Sequence, residues 1–374
     1  MIQKYFPSKR NPSIELYRLL GSLIVIGVHC IGLIPKKEGH KRTNNFISCI
    51  FADGVAIFWF ILGFHLFKNK DYCILLQKIL KRIYAKYFAL GFTFIISNNF
   101  FSHKPLLPTI NDFKKIIYSV LIFKNPFPYL GVSWYLYTYF LITFLYPVLR
   151  QFTKFLEEKS SRKRNFIIIT LFLLIINDFM GNNTFMFSHR SINSVFPASI
   201  QIIFGNIFYN SCTFQRKKYF ILISVIIFFI LNIIRTEFLI TFSCRNIVFW
   251  YSSFGTINAL MIFIFSFCII PYEKCEKSYH YLINYFASNT FGVYLIHNYV
   301  KTFLLKQNLG KYIISKTYSK NNYMKFVAIY LTLLISIIFI ICSIIVVIFS
   351  FIFNLFLKLR IILDILKNIF NFIQ

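Results

Sequence analysis

Charged residues, and acidic ones above all, are scarce in this sequence. Of its 374 residues, only 14% are Asp, Glu, Lys or Arg, and only 12 are acidic. A soluble domain is about a quarter charged, whereas this chain is 57% hydrophobic with a mean hydropathy of +0.63. This composition excludes a disordered chain and leaves too little polar surface for a soluble fold. We predict the all-α class, as a polytopic integral membrane helical bundle.

The sequence also lacks the common metal and nucleotide motifs. None of its eight cysteines stands in a Cys-x-x-Cys pair or at the spacing of zinc ligands. A glycine-rich phosphate loop, a His-Glu-x-x-His pair and a Gly-x-Ser-x-Gly elbow are missing as well. We therefore expect no bound metal, and neither ATP-driven nor serine-nucleophile chemistry is indicated.

No long polar linker interrupts the apolar runs, so we predict no soluble domain. The whole chain, 1–374, is predicted to be a single transmembrane domain. Since a spanning helix needs roughly 20 mostly apolar residues, about ten spans are predicted. They are 14–35, 46–67, 79–101, 130–149, 165–181, 194–211, 218–235, 246–271, 282–304 and 325–357.

Basic residues give the chain a net charge of +29. In a soluble protein this excess would indicate nucleic-acid binding. Here the cations lie in short loops between apolar runs, which is typical of membrane topology and of contact with anionic lipids. We expect membrane lipids, and no nucleic acid, as partners. Lys and Arg are more frequent in the loops on the side of the membrane that holds the N-terminus, which predicts cytoplasmic N- and C-termini. The Lys-rich loop 301–325 is an exception, because it is predicted on the opposite side of the membrane.

Two features are predicted at the outer face. The proline-rich segment 102–130 is interpreted as a re-entrant or lid-like loop, with a short interfacial helix at 110–123. Asp178 and Glu237 lie at predicted outer ends of spans and are candidate acids at an acceptor site.

The first span carries two ionisable residues, Arg18 and His29. They are eleven positions apart, which is roughly 16 Å along a helix and about three turns, so both point to nearly the same face. Alone, Arg18 is typical of a topology anchor and His29 of a core histidine. Together they indicate a groove with a cation at its cytoplasmic mouth and, deeper in, an imidazole able to move a proton.

Three cations follow the second span, at Lys78, Lys81 and Arg82. On a continuous α-helix they share one face. On composition alone, the excess of positive charge in cytoplasmic loops is the better explanation. The alternative is a site for an anionic ligand at the cytoplasmic mouth, since Lys and Arg suit phosphate.

Five further residues are predicted to line a substrate site or tunnel. His297 and Tyr294 lie one turn apart in the ninth span, and a helix–helix hydrogen bond is an equally good interpretation of His297. Trp134 and Tyr137 open the fourth span, where an interfacial aromatic belt is the alternative. Asp53 precedes the apolar part of the second span.

Four motifs in order resemble the acyltransferase 3 family, the membrane O-acetyltransferases of bacterial surface polysaccharides. The first span has Ile14-Glu15-Leu16 followed by Arg18, ten residues and His29. The second has DGVAIFWFILGF, the fourth WYLYTYFLITFLYPVL and the ninth FGVYLIH. The resemblance is strongest over 11–300.

The resemblance implies transfer of an acyl group, most often acetyl from acetyl-CoA, to a hydroxyl of a surface or lipid-linked glycan. It implies a multi-pass protein of the bacterial inner membrane. Lys78, Lys81 and Arg82 would hold the phosphates of the coenzyme, and Arg18 would bind donor phosphate or polarise the thioester carbonyl. His29 would act as general base or as acyl carrier, and the sequence does not separate these two roles.

The sequence departs from the family pattern in two places. Leu62 stands where the family usually has Ser, and KILKRIYAKY replaces an Arg-x-x-Arg pattern followed by Pro. Some members use a fused periplasmic hydrolase-like domain, so a separate periplasmic partner is an open alternative here. A polytopic transporter or flippase and a polysaccharide polymerase are the rival functions.

Overall fold

The computed structural model describes residues 11–34, 40–67, 71–101, 109–121, 127, 133–179, 194–210, 218–242, 248–270, 278–306, 312–313 and 323–373. Every regular element in these ranges is helical, which confirms the predicted all-α class. In chain order the helices are α1 (Pro12–Ile31), α2 (Lys41–Ile50), α3 (Gly54–Leu66), α4 (Tyr72–Ile79), α5 (Ala85–Phe101), α6 (Ile110–Leu121), α7 (Ser133–Glu157), α8 (Ser160–Phe179), α9 (Val195–Asn210), α10 (Tyr219–Thr241), α11 (Ser253–Ile269), α12 (Ser278–Lys306) and α13 (Tyr323–Ile373). A π-helical turn, Leu80–Tyr84, joins α4 directly to α5.

Helix α1 begins where the sequence supplies a cap. The Asn11 side chain accepts a hydrogen bond from the backbone N–H of Ser13 at 2.9 Å, and Pro12 occupies the start of the helix. A side-chain oxygen at the cap and a proline in the first turn are both typical of a helix start. From there α1 packs against α2, α3, α11, α12 and α13, so it is a central helix of the bundle.

The two halves of α1 belong to different apolar clusters. Ile14 and Tyr17 are buried among side chains of α3, α9 and α11. Val25 and Ile26 are buried among side chains of α12 and α13. Helix α1 therefore runs from one apolar cluster of the bundle into the other and packs against both.

Helices α3 and α9 approach each other closely through two glycines. A Cβ atom at Gly63 would meet the backbone carbonyl oxygen of Ile202, and one at Gly205 would meet that of Phe60. Small residues allow backbones in a membrane bundle to pack at this range.

Four helical segments of the described ranges are long and apolar enough to cross a membrane: Pro12–Ile31, Lys41–Leu66, Tyr219–Thr241 and Tyr323–Ile352. The second of them comprises α2 and α3 together. These spans agree with a membrane protein, but the predicted count of about ten is not confirmed. Helices α5, α9 and α11 have 17, 16 and 17 residues, close to the lower limit of roughly 17 for a span. Helices α7, α8 and α12 are longer, but polar and basic residues interrupt their apolar sequence.

The helix predicted at 110–123 is present as α6, which ends at Leu121. Its apolar side chains include Ile110 and Ile117, which are both exposed. Its interfacial position stays a prediction, and most of the rest of the predicted loop lies outside the described residues.

Candidate functional site

A cavity of about 440 Å³ lies between α1, α3, α4, α7 and α12. Three of the predicted site residues line it: Arg18, Lys78 and Tyr294. His65 and Leu62 of α3 contribute to the same wall. The cavity thus brings together cations from two helices that are far apart in the sequence.

Arg18 lies in the second turn of α1 and is oriented by an acidic neighbour. Its Nη1 donates to both carboxylate oxygens of Glu15 at 2.8 Å. The Glu15 side chain is buried and the Arg18 side chain is 22% exposed. The ion pair anchors the guanidinium beside the cavity.

The structure describes the side chains of two of the three predicted phosphate-binding cations, Lys78 and Lys81. Lys78, in the last turn of α4, lines the cavity, whereas Lys81 is exposed and is not part of the lining. The prediction assumed a continuous α-helix, but the π-helical turn begins at Leu80 and changes the register. The side chain of Arg82 lies outside the described part of the structure.

His29 lies in the last turn of α1, where it is exposed rather than deep in the bundle. Its ring faces that of His297 of α12, with centroids 4.8 Å apart. His297 is buried, with 1% of its surface exposed. The Lys301 Nζ donates to the backbone oxygen of His29 at 3.3 Å. The structure therefore brings together the rings of two predicted site residues, His29 of the first predicted span and His297 of the ninth. These two rings are called the imidazole pair.

Tyr294 connects the cavity to the imidazole pair. Its ring lines the cavity and lies 6.0 Å from the ring of His297. Its backbone oxygen accepts a hydrogen bond from His297 Nδ1 at 2.7 Å. Phe58 and Tyr135, which also line the cavity, each contact the Tyr294 ring edge-on at 5.4 Å. These three rings form the wall of the cavity on the side of the histidines.

Asp53 does not line this cavity. It is fully buried with Arg235 of α10, whose two terminal nitrogens donate to its two carboxylate oxygens at 2.8 and 3.0 Å. Asn258 of α11 donates to the same carboxylate at 2.8 Å. Asp53 thus fastens the junction of α2 and α3 to α10 and α11, instead of having the predicted lining position.

Trp134 and Tyr137 are also outside the lining of this cavity. The Trp134 ring stacks on that of Trp250 at 5.8 Å, and Tyr137 is buried. Their neighbour Tyr135 does reach the cavity. The roles of Trp134 and Tyr137 in lining a substrate site stay predictions, and the sequence alone did not indicate that Tyr135 is the ring of this group that lines the cavity.

The two candidate acids of the outer face are engaged elsewhere. Asp178 is buried and accepts hydrogen bonds from the backbone N–H and the hydroxyl of Ser253, at 2.9 and 2.6 Å. Glu237 pairs with Arg42 at 2.9 Å on the exposed surface. Among the described residues, no group of three or more His, Cys, Asp or Glu side chains is arranged to hold a metal ion.

The comparisons with known proteins gave one match. A family model described as an acyltransferase domain, Acyl_transf_3, matches residues 11–358. The matched segment contains the whole cavity and the imidazole pair. Neither curated proteins nor solved structures gave a match to the chain.

Proposed function

We propose a reaction for this chain, which belongs to the acyltransferase 3 family and is therefore a membrane acyltransferase. It moves an acyl group, acetyl in the first instance, from cytoplasmic acyl-CoA to a hydroxyl of a surface or lipid-linked glycan. Membership of the family favours this reaction over transport or polymerisation. The proposed location is the bacterial inner membrane, with both termini cytoplasmic.

One observation carries the proposal: Tyr294 links the cavity that holds two cations to the imidazole pair. Arg18 and Lys78 line the cavity, and guanidinium and ammonium groups suit the phosphates of a coenzyme. Tyr294 belongs both to the cavity wall and to the hydrogen bond of His297. A donor whose phosphates contact the cations would direct its acyl end toward the histidines, roughly 16 Å further along α1.

His29 acts as the general base in this proposal. Its exposure at the end of α1 opposite Arg18 leaves it accessible to an acceptor hydroxyl. The imidazole takes the hydroxyl proton while the oxygen attacks the thioester carbonyl carbon. The carbon–sulfur bond then breaks, and the coenzyme leaves as a thiol after taking the proton from the imidazolium. Transfer through an acyl-histidine is the rival route.

Acetyl transfer in membranes tests the role of His29. We expect wild-type membranes to move label from radiolabelled acetyl-CoA into endogenous glycan. The substitution His29→Ala should lower the rate roughly a hundred- to ten-thousand-fold, since it removes the general base.

A second histidine supplies the control for this experiment. His40 stacks on Tyr323 at 4.1 Å, outside the cavity and the imidazole pair, so His40→Ala should keep near wild-type transfer. Equal transfer by wild type and His29→Ala would contradict the proposed mechanism. Labelled acetyl-His29 trapped on the protein would favour the acyl-histidine route.

A further inference from the structure

The hydrogen bond of His297 determines which of its ring nitrogens carries a proton. The partner of Nδ1 is the backbone oxygen of Tyr294, at 2.7 Å. A carbonyl oxygen can only accept, so Nδ1 must carry the hydrogen. Burial away from water favours the neutral imidazole, and in a neutral imidazole the other nitrogen is then a bare acceptor. His297 therefore holds its Nε2 lone pair inside the bundle.

This acceptor lacks a partner among the described residues. Nε2 of His297 is buried and makes no hydrogen bond to any of them. An unsatisfied buried acceptor is costly, and such a group in a folded protein calls for an explanation, a catalytic role among them. The ring of His29, which carries an N–H in either tautomer, lies 4.8 Å away between centroids. At this separation a rotation of the exposed His29 ring brings the donor toward Nε2.

We propose that His297 is a positioning residue, whose Nε2 accepts a hydrogen bond from one ring nitrogen of His29. This inference rests on the proposed function, since it concerns the base of that reaction. The bond leaves the second nitrogen of His29 bare and directed to the acceptor hydroxyl. His297 thereby takes the place that a carboxylate occupies beside the histidine of many hydrolases.

The proton balance of the reaction is unchanged by this pair. The acceptor hydroxyl gives its proton to the bare nitrogen of His29, the new carbon–oxygen bond forms and the carbon–sulfur bond breaks. The imidazolium then returns the proton to the leaving sulfur. Throughout, the other N–H of His29 stays hydrogen-bonded to His297 Nε2. The lone pair of that nitrogen stabilises the positive charge of the imidazolium.

Two substitutions at one position separate this role from a structural one. His297→Asn keeps a donor near Nδ1 for the Tyr294 oxygen but removes the acceptor near Nε2. His297→Gln places an amide oxygen near Nε2 and gives up the Nδ1 donor. If His297 only fastens its own helix, Asn should be the better replacement. If it positions His29, Gln should be the better one.

The kinetic constants for acetyl-CoA give the readout. We expect His297→Gln to keep most of the wild-type kcat. His297→Asn should lower kcat roughly 10- to 100-fold, with KM for acetyl-CoA unchanged, because it loses a hydrogen bond to a group that becomes charged only during the reaction. Equal activity of the two variants, or the reverse order, would overturn the inference.

A double variant tests the same inference if His297→Gln does not fold. In a His29→Ala protein, adding His297→Asn should leave the residual transfer unchanged, since residues that act as a unit are not additive. A further loss of 10-fold or more (roughly 1.4 kcal/mol) would overturn the inference.

If wild type transfers no acetyl from acetyl-CoA, the proposed function itself fails and the inference with it. If wild type is active and His29→Ala inactive, only the role of His297 is in question.

Discussion

A carboxylate and a guanidinium are buried together inside the bundle, at Asp53 and Arg235. Both side chains are 0% exposed, and two backbone oxygens, of Cys49 and Phe249, accept further hydrogen bonds from the same guanidinium. A charge left alone at such a place is costly, since neither water nor another partner replaces the lost one. The pair therefore ties α10 to the start of α3.

Removing one partner of this ion pair should destabilise the protein strongly. For Asp53→Ala we expect a loss of about 3–5 kcal/mol in the free energy of unfolding, because the buried guanidinium of Arg235 loses the carboxylate that contacts it directly. The measurement is thermal unfolding of the purified protein in detergent.

The exposed ion pair Arg42–Glu237 provides the control. Its side chains are 73% and 44% exposed, so Glu237→Ala should cost no more than about 1 kcal/mol. Equal losses for Asp53→Ala and Glu237→Ala would contradict the structural role given to the buried pair.

At the residue scale, the sequence predicted the polar side chains of the helices better than the surroundings of those side chains in the bundle. The spacing of Arg18 and His29 correctly indicated two polar groups on one helix, and Arg18 lines the cavity. The exposure of His29 could not be predicted, because it depends on where neighbouring helices end. Arg235, the last residue of the predicted span 218–235, was not among the predicted site residues, although its position inside the apolar run LNIIRTEF is a signal for a buried partner.

At the scale of elements, the contact of α3 with α9 depends on the absence of side chains. Gly63 and Gly205 each face a backbone carbonyl of the other helix at a distance that excludes a Cβ atom. We expect Gly63→Ala to force the helices apart and to lower the free energy of unfolding by roughly 1–3 kcal/mol. Thermal unfolding in detergent is again the measurement.

Gly32 is the matched control for this prediction. Among the described residues, no atom beyond the chain neighbours and the backbone of its own helix lies within 4 Å of a Cβ built there, and its φ of −61° is accessible to any residue. Gly32→Ala should leave the melting temperature nearly unchanged. If Gly63→Ala and Gly32→Ala behaved alike, the close packing of α3 on α9 would be contradicted.

Helix positions were predictable from the sequence where apolar runs are long, and register was not. The segment carrying Lys78 and Lys81 is helical, as the pattern predicted. The π-helical turn Leu80–Tyr84 is a shift in backbone hydrogen bonding, and such a shift has no distinct signature in the residue types. It begins between the two lysines, whereas the predicted common face assumed a regular α-helix.

At the scale of the whole molecule, composition was enough to predict the class but not the assembly. An apolar, all-α membrane protein follows from the hydrophobic content, and the structure agrees. The pairing of α1 with α12, which brings His29 to His297, joins segments more than 250 positions apart. The sequence predicted His297 as a lining residue only as one of two interpretations, and the resemblance of the motifs to a known family added that these segments share a function.

The most direct test of the central claim is a stoichiometry measured on the purified protein in lipid vesicles, supplied with acetyl-CoA and a glycan acceptor. The released coenzyme A thiol and the acetyl ester on the glycan are both counted. We predict that they appear in equal amounts, and that His29→Ala lowers the rate of both roughly a hundredfold or more. Acetyl esters formed without thiol release, or glycan moved across the vesicle membrane without any ester, would contradict an acyl transfer from the coenzyme.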